Sequence, residues 1–327
     1  MIFSVRCSYS LVLLAFIAFI GVNSCNQNSE LEREIKRLNF NINVERFDKL
    51  FMESKENTFS SLKNGFPFLF PKNISDSILL QRKDDSIQKL IKYSVDSVFL
   101  DFSSIENDLS SLFKHIKYYN PSLKKPRIIT VFSDLDYRNK IIVTDTIVLI
   151  GIDNYLGTEH SFYQNFYSYI RKNLKKDQIV VDLANEYAAK MIDEPVRNTF
   201  LDKLIYQGKK MYLKDLWLPE TNDYTKMGYS IDELNWANEN EYYIWEYFVE
   251  NEILYSTDPK LYDRFIAQGP FSRFNLSLDN ESPSSLGIYI GWKIIKSFMD
   301  NNDISLINML RSDSKFIFKN AKFKPNK

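Results

Sequence analysis

Two observations on this 327-residue chain predict a helix-dominated α+β fold, with a small β-sheet packed against a large helical part. Short segments rich in Ile and Val come first, and from residue 160 onward apolar residues recur at helical spacing. The whole chain holds only 9 Gly and 10 Pro, too few for a turn-dense sandwich or propeller.

The first segment reads as an address. Arg6 and the terminal amine precede an uninterrupted apolar run from Leu11 to Val22. That run is shorter than the roughly 20 residues a membrane-spanning helix needs, and it fits the core of a secretory signal. The following "VNSC" resembles the bacterial lipobox, with Asn23 where Ala or Ser is commonest. It predicts a lipoprotein signal peptide over 1–24, with Cys25 as the acylated first residue of the mature chain. Cysteine usage agrees, because the chain has 2 Cys and Cys7 leaves with the signal. Each buried methylene contributes about 0.8 kcal/mol, so two or three acyl chains hold a protein stably on a membrane. Asn26, in place of the aspartate that retains many proteobacterial lipoproteins at the inner membrane, favours the outer membrane, facing the periplasm or the surface.

Residues 25–39 read as a lipid-anchored tether and 40–327 as a single globular domain, since no long Gly/Ser- or Pro-rich linker interrupts them. "NINVERFD" (41–48) alternates like a strand. The segments following it, up to "SSIENDLSSLFKHIKYY", turn toward helical spacing. "RIITVF" (127–132) and "KIIVTDTIVLIGID" (140–153) read as two buried strands. Helices are expected over 161–174, 178–193, 196–213, 230–252, 284–300 and 303–318, with "WLPETNDYTKMGYS" as a long loop.

The chemistry is limited by what these residues lack. With 42 Lys+Arg against 42 Asp+Glu and no arginine-rich run, no nucleic-acid partner is expected. His115 and His160 are the only histidines, and neither has a second one at metal-site spacing. No nucleophile elbow, P-loop or dinucleotide-binding glycine pattern is present, and no cofactor is expected. "NENEYYIWEYFVENE" supplies Glu239, Glu241, Glu246, Glu250 and Glu252. They read as a solvated acidic face, or as the acid/base pair of an envelope glycan hydrolase. Gly287 and Gly291 lie four apart on one helix, where each costs roughly 1 kcal/mol relative to Ala. A close approach to another backbone is the expected compensation.

Longer motifs carry a resemblance. "YQGKKMYLKDLWLP" (206–219), "NENEYYIWEYFVENEILYSTDP" (238–259), "RFIAQGPFSRFNLSLDNESP" (264–283), "GIYIGWKIIKSFM" (287–299) and the ending "NAKFKPNK" resemble the gliding-motility lipoprotein GldB family of the Bacteroidetes lineage. Ser284 and Ser285 stand where that family usually has a glycine. The resemblance implies a lipid-anchored cell-envelope protein required for gliding, with no established catalytic activity. Its expected partners are proteins of the motility and secretion machinery, and the membrane through the lipid anchor.

That family is in turn distantly similar to predicted zinc-dependent peptidases of zincin-like fold, which implies a degenerate zincin-like architecture. Their H-E-x-x-H helix corresponds to "NEYAA" (185–189). Carried over by position, Asn185 and Ala189 replace the two histidines, Glu186 keeps the general-base position and Gln207 replaces a ligand glutamate. A protein without those ligands has nothing to activate a metal-bound water. The resemblance therefore implies a pseudoenzyme working by protein contact, with a candidate groove at Trp236, Trp245 and Arg273. The rival reading is the carboxylate-based glycan hydrolase.

Overall fold

Four short strands make the sheet: β1 (Val44–Glu45), β2 (Arg127–Val131), β3 (Ile141–Val143) and β4 (Ile147–Gly151), in the order β1-β2-β4-β3. The computed structural model describes residues 30–195, 197–277 and 279–327. The signal segment 1–24, the Cys25 lipidation site and the first residues of the tether lie outside the described residues. β1, β2 and β4 run parallel, and β3 pairs antiparallel with β4.

Ahead of β2 the chain forms α1 (30–37), α2 (Phe47–Glu53), α3 (Glu56–Gly65), α4 (Asp76–Asp84), α5 (Ser86–Val98) and α6 (Ser103–Tyr119). After β4 come α7 (Ser168–Arg171), α8 (Gln178–Met191), α9 (Phe200–Trp217), α10 (Asp223–Met227), α11 (Ile231–Glu239) and α12 (Glu241–Glu250). The last four are α13 (Lys260–Phe265), α14 (Leu286–Asn301), α15 (Leu306–Arg311) and α16 (Ser314–Ala321). Helices dominate a small sheet, as the pattern of apolar residues predicts.

Both faces of the sheet are covered, which explains why its strands read as continuous apolar runs. Successive strand residues point to opposite faces. Ile128, Val148 and Ile150 join the main core, while Ile129 joins a smaller cluster of Phe47, Phe59, Phe66 and Phe70.

Several elements are shorter than the sequence predicts. Of 41–48, only Val44–Glu45 is strand, and α2 begins at Phe47. Residues 140–153 form two strands, because the Thr144 hydroxyl accepts from the Ile147 N–H at 3.0 Å and closes a turn at "VTDT". Helix 161–174 is reduced to a 3-10 turn and the four residues of α7. The expected 230–252 helix breaks at Asn240, whose backbone and side-chain N–H groups both bind the Trp236 carbonyl. Asp313 divides 303–318 by accepting from the Lys315 N–H and starting α16. Within the expected tether, 30–37 is helical with Ile35 buried, and Glu32 meets buried His115 at 3.2 Å. His115 also bonds the Ser111 carbonyl, so it serves packing.

The most extensive helix contact joins α9 and α14. Gly208 and Gly291 sit where the two helices cross. A Cβ added at Gly291 would collide with the Leu204 carbonyl oxygen, and one at Gly208 with the Gly291 carbonyl. At Gly287 it would come within 2.7 Å of the Phe265 carbonyl. Backbone thus packs directly on backbone, the compensation expected for two glycines within one helix.

Candidate functional site

The helix that carries "NEYAA" is α8, and it packs against α9. A capping box sets the start of α9: the Thr199 hydroxyl accepts from the Asp202 N–H at 3.2 Å, and the Asp202 carboxylate accepts from the Thr199 N–H at 3.1 Å. From that start, Gln207, Lys210 and Lys214 fall on one face, three and four residues apart. Lys210 and Lys214 are both buried. Burial pushes the Lys210 amine down, against the pull of Glu186 and Glu194. It pushes Lys214 down to about 7, with Lys210 adding to the shift and Asp182 and Asp215 opposing it. Lys214 feels the charge of Asp182 and Lys210 that of Glu186, without ion-pair contact, so the two helices run antiparallel along a seam of lysines facing carboxylates.

Residues 151–157, "GIDNYLG", hold one end of this seam. Asp153 is fully buried at the end of β4, and its carboxylate accepts from Ser133 N (2.9 Å), Ser133 Oγ (3.0 Å) and Leu135 N (2.8 Å). These bonds fix a turn in which Asp134 and Leu135 take φ of 56° and 62°. Desolvation raises the Asp153 pKa, and the same hydrogen bonds work against the rise. Two residues on, the Tyr155 hydroxyl donates to Asp182 at 2.9 Å, and Lys140 pairs with the same carboxylate at 2.6 Å.

A cavity of about 220 Å³ opens beside the seam. Asp182 and Asn185 line it from α8, Lys214 from α9, Lys140 from the sheet side, and Lys226 and Gly228 from α10 and its exit. Gly228 has φ of 70° and ends α10 in the left-handed region. Ser284 and Ser285 line the cavity just before α14. Ser285 has φ of 60°, a conformation that favours glycine. The departure from the glycine usual here in the resembled family thus falls on a strained helix start.

The four positions carried over from the zinc-peptidase pattern are spread along the seam. Asn185 faces the cavity and donates to its neighbour Glu186 at 3.3 Å. Glu186 lies toward Lys210, Ala189 offers no donor atom, and Gln207 stands one residue before the glycine crossing. Zinc is held by thiolate, imidazole or carboxylate. This set does not fit it, since of Asn185, Glu186, Ala189 and Gln207 only Glu186 supplies such a donor. Among the described residues, no group of three or more His, Cys, Asp or Glu is placed to hold a metal ion. His160 lies elsewhere and accepts from Phe162 N at 3.3 Å, with burial lowering its pKa.

The expected groove residues are not brought together. Trp236 lines a second cavity of about 330 Å³ with Tyr243, Tyr247, Phe274, Glu246 and Glu250. Trp245 instead packs on Phe318 and Phe323, at 5.7 and 5.3 Å between ring centroids, on a different side of α12 from Tyr243 and Tyr247, which line the cavity. Arg273 is exposed and donates to the Asp263 carbonyl. Of the acidic run, Glu241 is buried, accepting from the Tyr289 hydroxyl at 2.7 Å and from Asn326 N at 3.1 Å, so its role is to tie helices together. Glu239 and Glu252 are exposed.

Sequence reasoning missed Lys214. A lysine in "YLKDLW" has the look of a surface residue, and only the return of α10 over it, after the 218–222 connection, makes it part of a cavity wall.

The family model described as gliding motility protein GldB matches residues 28–325. No curated protein and no solved structure matches the chain.

Proposed function

The chain belongs to the gliding motility protein GldB family, and on that premise we propose that it is a lipid-anchored envelope protein working through contacts with the motility and secretion machinery, without catalysis. The membrane attachment runs through Cys25, after removal of 1–24, with 25–39 as tether, 40–327 as one domain and the outer membrane as the site. Among the described residues no helix is long and apolar enough to cross a membrane, so nothing in them competes with a lipid anchor for that task.

The observation that carries the non-catalytic part is the α8/α9 seam. In a zincin-like peptidase, ligands on two such helices hold a cation that lowers the pKa of a bound water. The resemblance puts Asn185, Ala189 and Gln207 at those ligand positions, and two buried amines, Lys210 and Lys214, stand on the facing helix. This supports descent from a metal peptidase whose site was refilled by lysine. Glu186, beside Lys210, then has the structural role of partly compensating a buried amine.

Three measurements test the reading. Cys25→Ser should leave an unacylated precursor and abolish gliding. Crosslinking of the wild-type lipoprotein in gliding cells should capture proteins of the motility machinery. Stoichiometric zinc in natively isolated protein, together with turnover of a peptide or glycan, would falsify the non-catalytic assignment.

A further inference from the structure

Four lysines line the cavity beside α8: Lys140, Lys172, Lys214 and Lys226. Three have a carboxylate partner. Lys140 pairs with Asp182 at 2.6 Å, Lys172 with Glu233 at 2.7 Å, and Lys226 with Asp215 at 3.0 Å and Asp223 at 3.2 Å. Lys214 differs. Its Nζ donates to the Lys226 carbonyl at 2.6 Å and has no carboxylate within ion-pair distance among the described residues, although it is only 7% exposed. An ammonium has three N–H donors, and a buried donor without an acceptor costs roughly 1–3 kcal/mol. One side chain thus lines the cavity with unused donors and no ion pair of its own.

The rest of the wall narrows the chemistry. Ile170, Leu174, Val181, Met227, Ile266 and Ile288 give the cavity an apolar side. Ser284 and Ser285 bring the start of the 16-residue α14 to the wall, and the positive end of a helix dipole favours an anion there. A volume of about 220 Å³ admits a side chain or a chain end. The charge count admits one negative charge, since a phosphate dianion would require a second unpaired cation.

We propose that this cavity binds a monocarboxylate carrying an apolar body, with Lys214 Nζ as the group that receives the carboxylate. The free acid and the C-terminal residue of a peptide share this chemistry. The proposal does not depend on the motility reading, because binding is measured on the purified protein.

The test uses the full-length lipoprotein in detergent and calorimetric titration with N-acetyl-leucine, N-acetyl-leucinamide, inorganic phosphate and a hexapeptide ending in free leucine. N-acetyl-leucine should bind, and its amide should bind at least about tenfold more weakly, as expected for loss of a charged hydrogen bond. Lys214→Gln should weaken the acid by a similar factor and leave the amide unchanged. Binding of the hexapeptide as well as the acid identifies a peptide terminus as the natural source, and binding of the acid alone identifies a small free carboxylate. Equal binding of acid and amide, a preference for phosphate, or no binding at millimolar concentration overturns the proposal. The acid-against-amide comparison needs only wild-type protein, so it decides the matter even where Lys214→Gln does not fold.

Discussion

Helix α9 presents two faces built on opposite principles. Toward α14 it shows Gly208 and the Leu204 backbone, and Gly291 presses directly on them. Toward α8 it shows Lys210 and Lys214, buried amines that resist being charged. The first face is good packing: two backbones in contact exclude water and leave no space. The second is unfavourable for folding alone, since taking an amine out of water costs more than an apolar residue of the same size would. A fold under selection only for stability would place leucine or methionine at position 214. The contrast teaches that the glycine crossing serves architecture, and that the lysine seam is where a role beyond folding is to be sought.

The largest effect should come from breaking the first face. Gly291→Leu puts a branched side chain into the Leu204 backbone, which cannot move without shifting α9. Overpacking of ordinary cores costs roughly 1–3 kcal/mol, and a collision with backbone should exceed that range. Thermal unfolding of the full-length protein should show a midpoint lower by many degrees, or no folded protein. An unchanged midpoint would mean that the crossing is not close-packed.

Next in size is the second face. Lys214 has a folded pKa of about 7 against an ordinary 10.5. Between those values the unfolded chain holds a proton that the folded chain has released, so stability rises with pH across that window. Below pH 7 the folded protein must bury the ammonium and the full penalty is present; above pH 10.5 both states are neutral and it is gone. At about 1.4 kcal/mol for each pKa unit, the difference is several kcal/mol. Lys214→Met should therefore be more stable than wild type at pH 6–7, with the advantage shrinking as pH approaches 10.5. Lys210 and Lys226 depress the same amine, and Asp182 and Asp215 pull the other way, so the window shifts with them. Denaturant titrations at pH 6, 8 and 10 read this out, and parallel profiles for the two proteins would refute it. Lys209, brought down to about 8 by burial, bonds the Leu310 and Ser312 carbonyls at 2.8 Å and contributes a smaller total change, over a narrower pH window, to both proteins.

How much of this contrast was legible depends on whether the signal is local. Gly287 and Gly291 announce a close crossing because their cost within a helix is paid locally and needs an explanation. The apolar runs at 127–131 and 147–151 announce a covered sheet for the same reason. The hairpin inside 140–153 was hidden, because Thr144 and Thr146 count as strand formers until a hydroxyl is seen capping the turn. The break at Asn240 was hidden because Trp236, Ile244 and Phe248 continue a helical stripe across it. The groove that the resemblance implies at Trp236, Trp245 and Arg273 has no local signal, and tertiary packing separates its members. The partner of the glycine crossing, Gly208, lies inside "QG", which the resemblance had marked for a lost ligand at Gln207. No sequence pattern distinguishes the buried lysines from solvated ones.

A smaller effect sharpens the contrast at the point where α14 meets both regions. Its middle forms the crossing, and its start lies at the cavity wall, where Ser285 takes φ of 60°. A left-handed conformation costs a residue with a Cβ roughly 1 kcal/mol or more. Gly is free of that cost but has a more flexible unfolded state, which returns about 0.4–1 kcal/mol. Ser285→Gly should thus change stability by less than about 1 kcal/mol, even after the Ser285 hydroxyl bond to the Ala267 carbonyl at 3.1 Å is lost. A loss comparable to that of Gly291→Leu would place the strain elsewhere and make the hydroxyl the main support of the helix start.

The smallest expected effect is the most telling for function. Glu186 is the residue that the peptidase resemblance would make a general base, and its surroundings are Asn185 and the Lys210 amine. A base that activates water loses its function when the carboxylate becomes an amide, and the rate falls by orders of magnitude. A carboxylate that only steadies a buried amine loses one charge interaction, and the amide keeps its shape. Glu186→Gln should accordingly preserve gliding speed and protein level, with a stability change of about 1 kcal/mol or less. The measurement is gliding of single cells that express the variant at wild-type abundance. Gliding lost at normal abundance would show that the carboxylate acts chemically, and the two faces of α9 would then divide between architecture and catalysis instead of architecture and recognition.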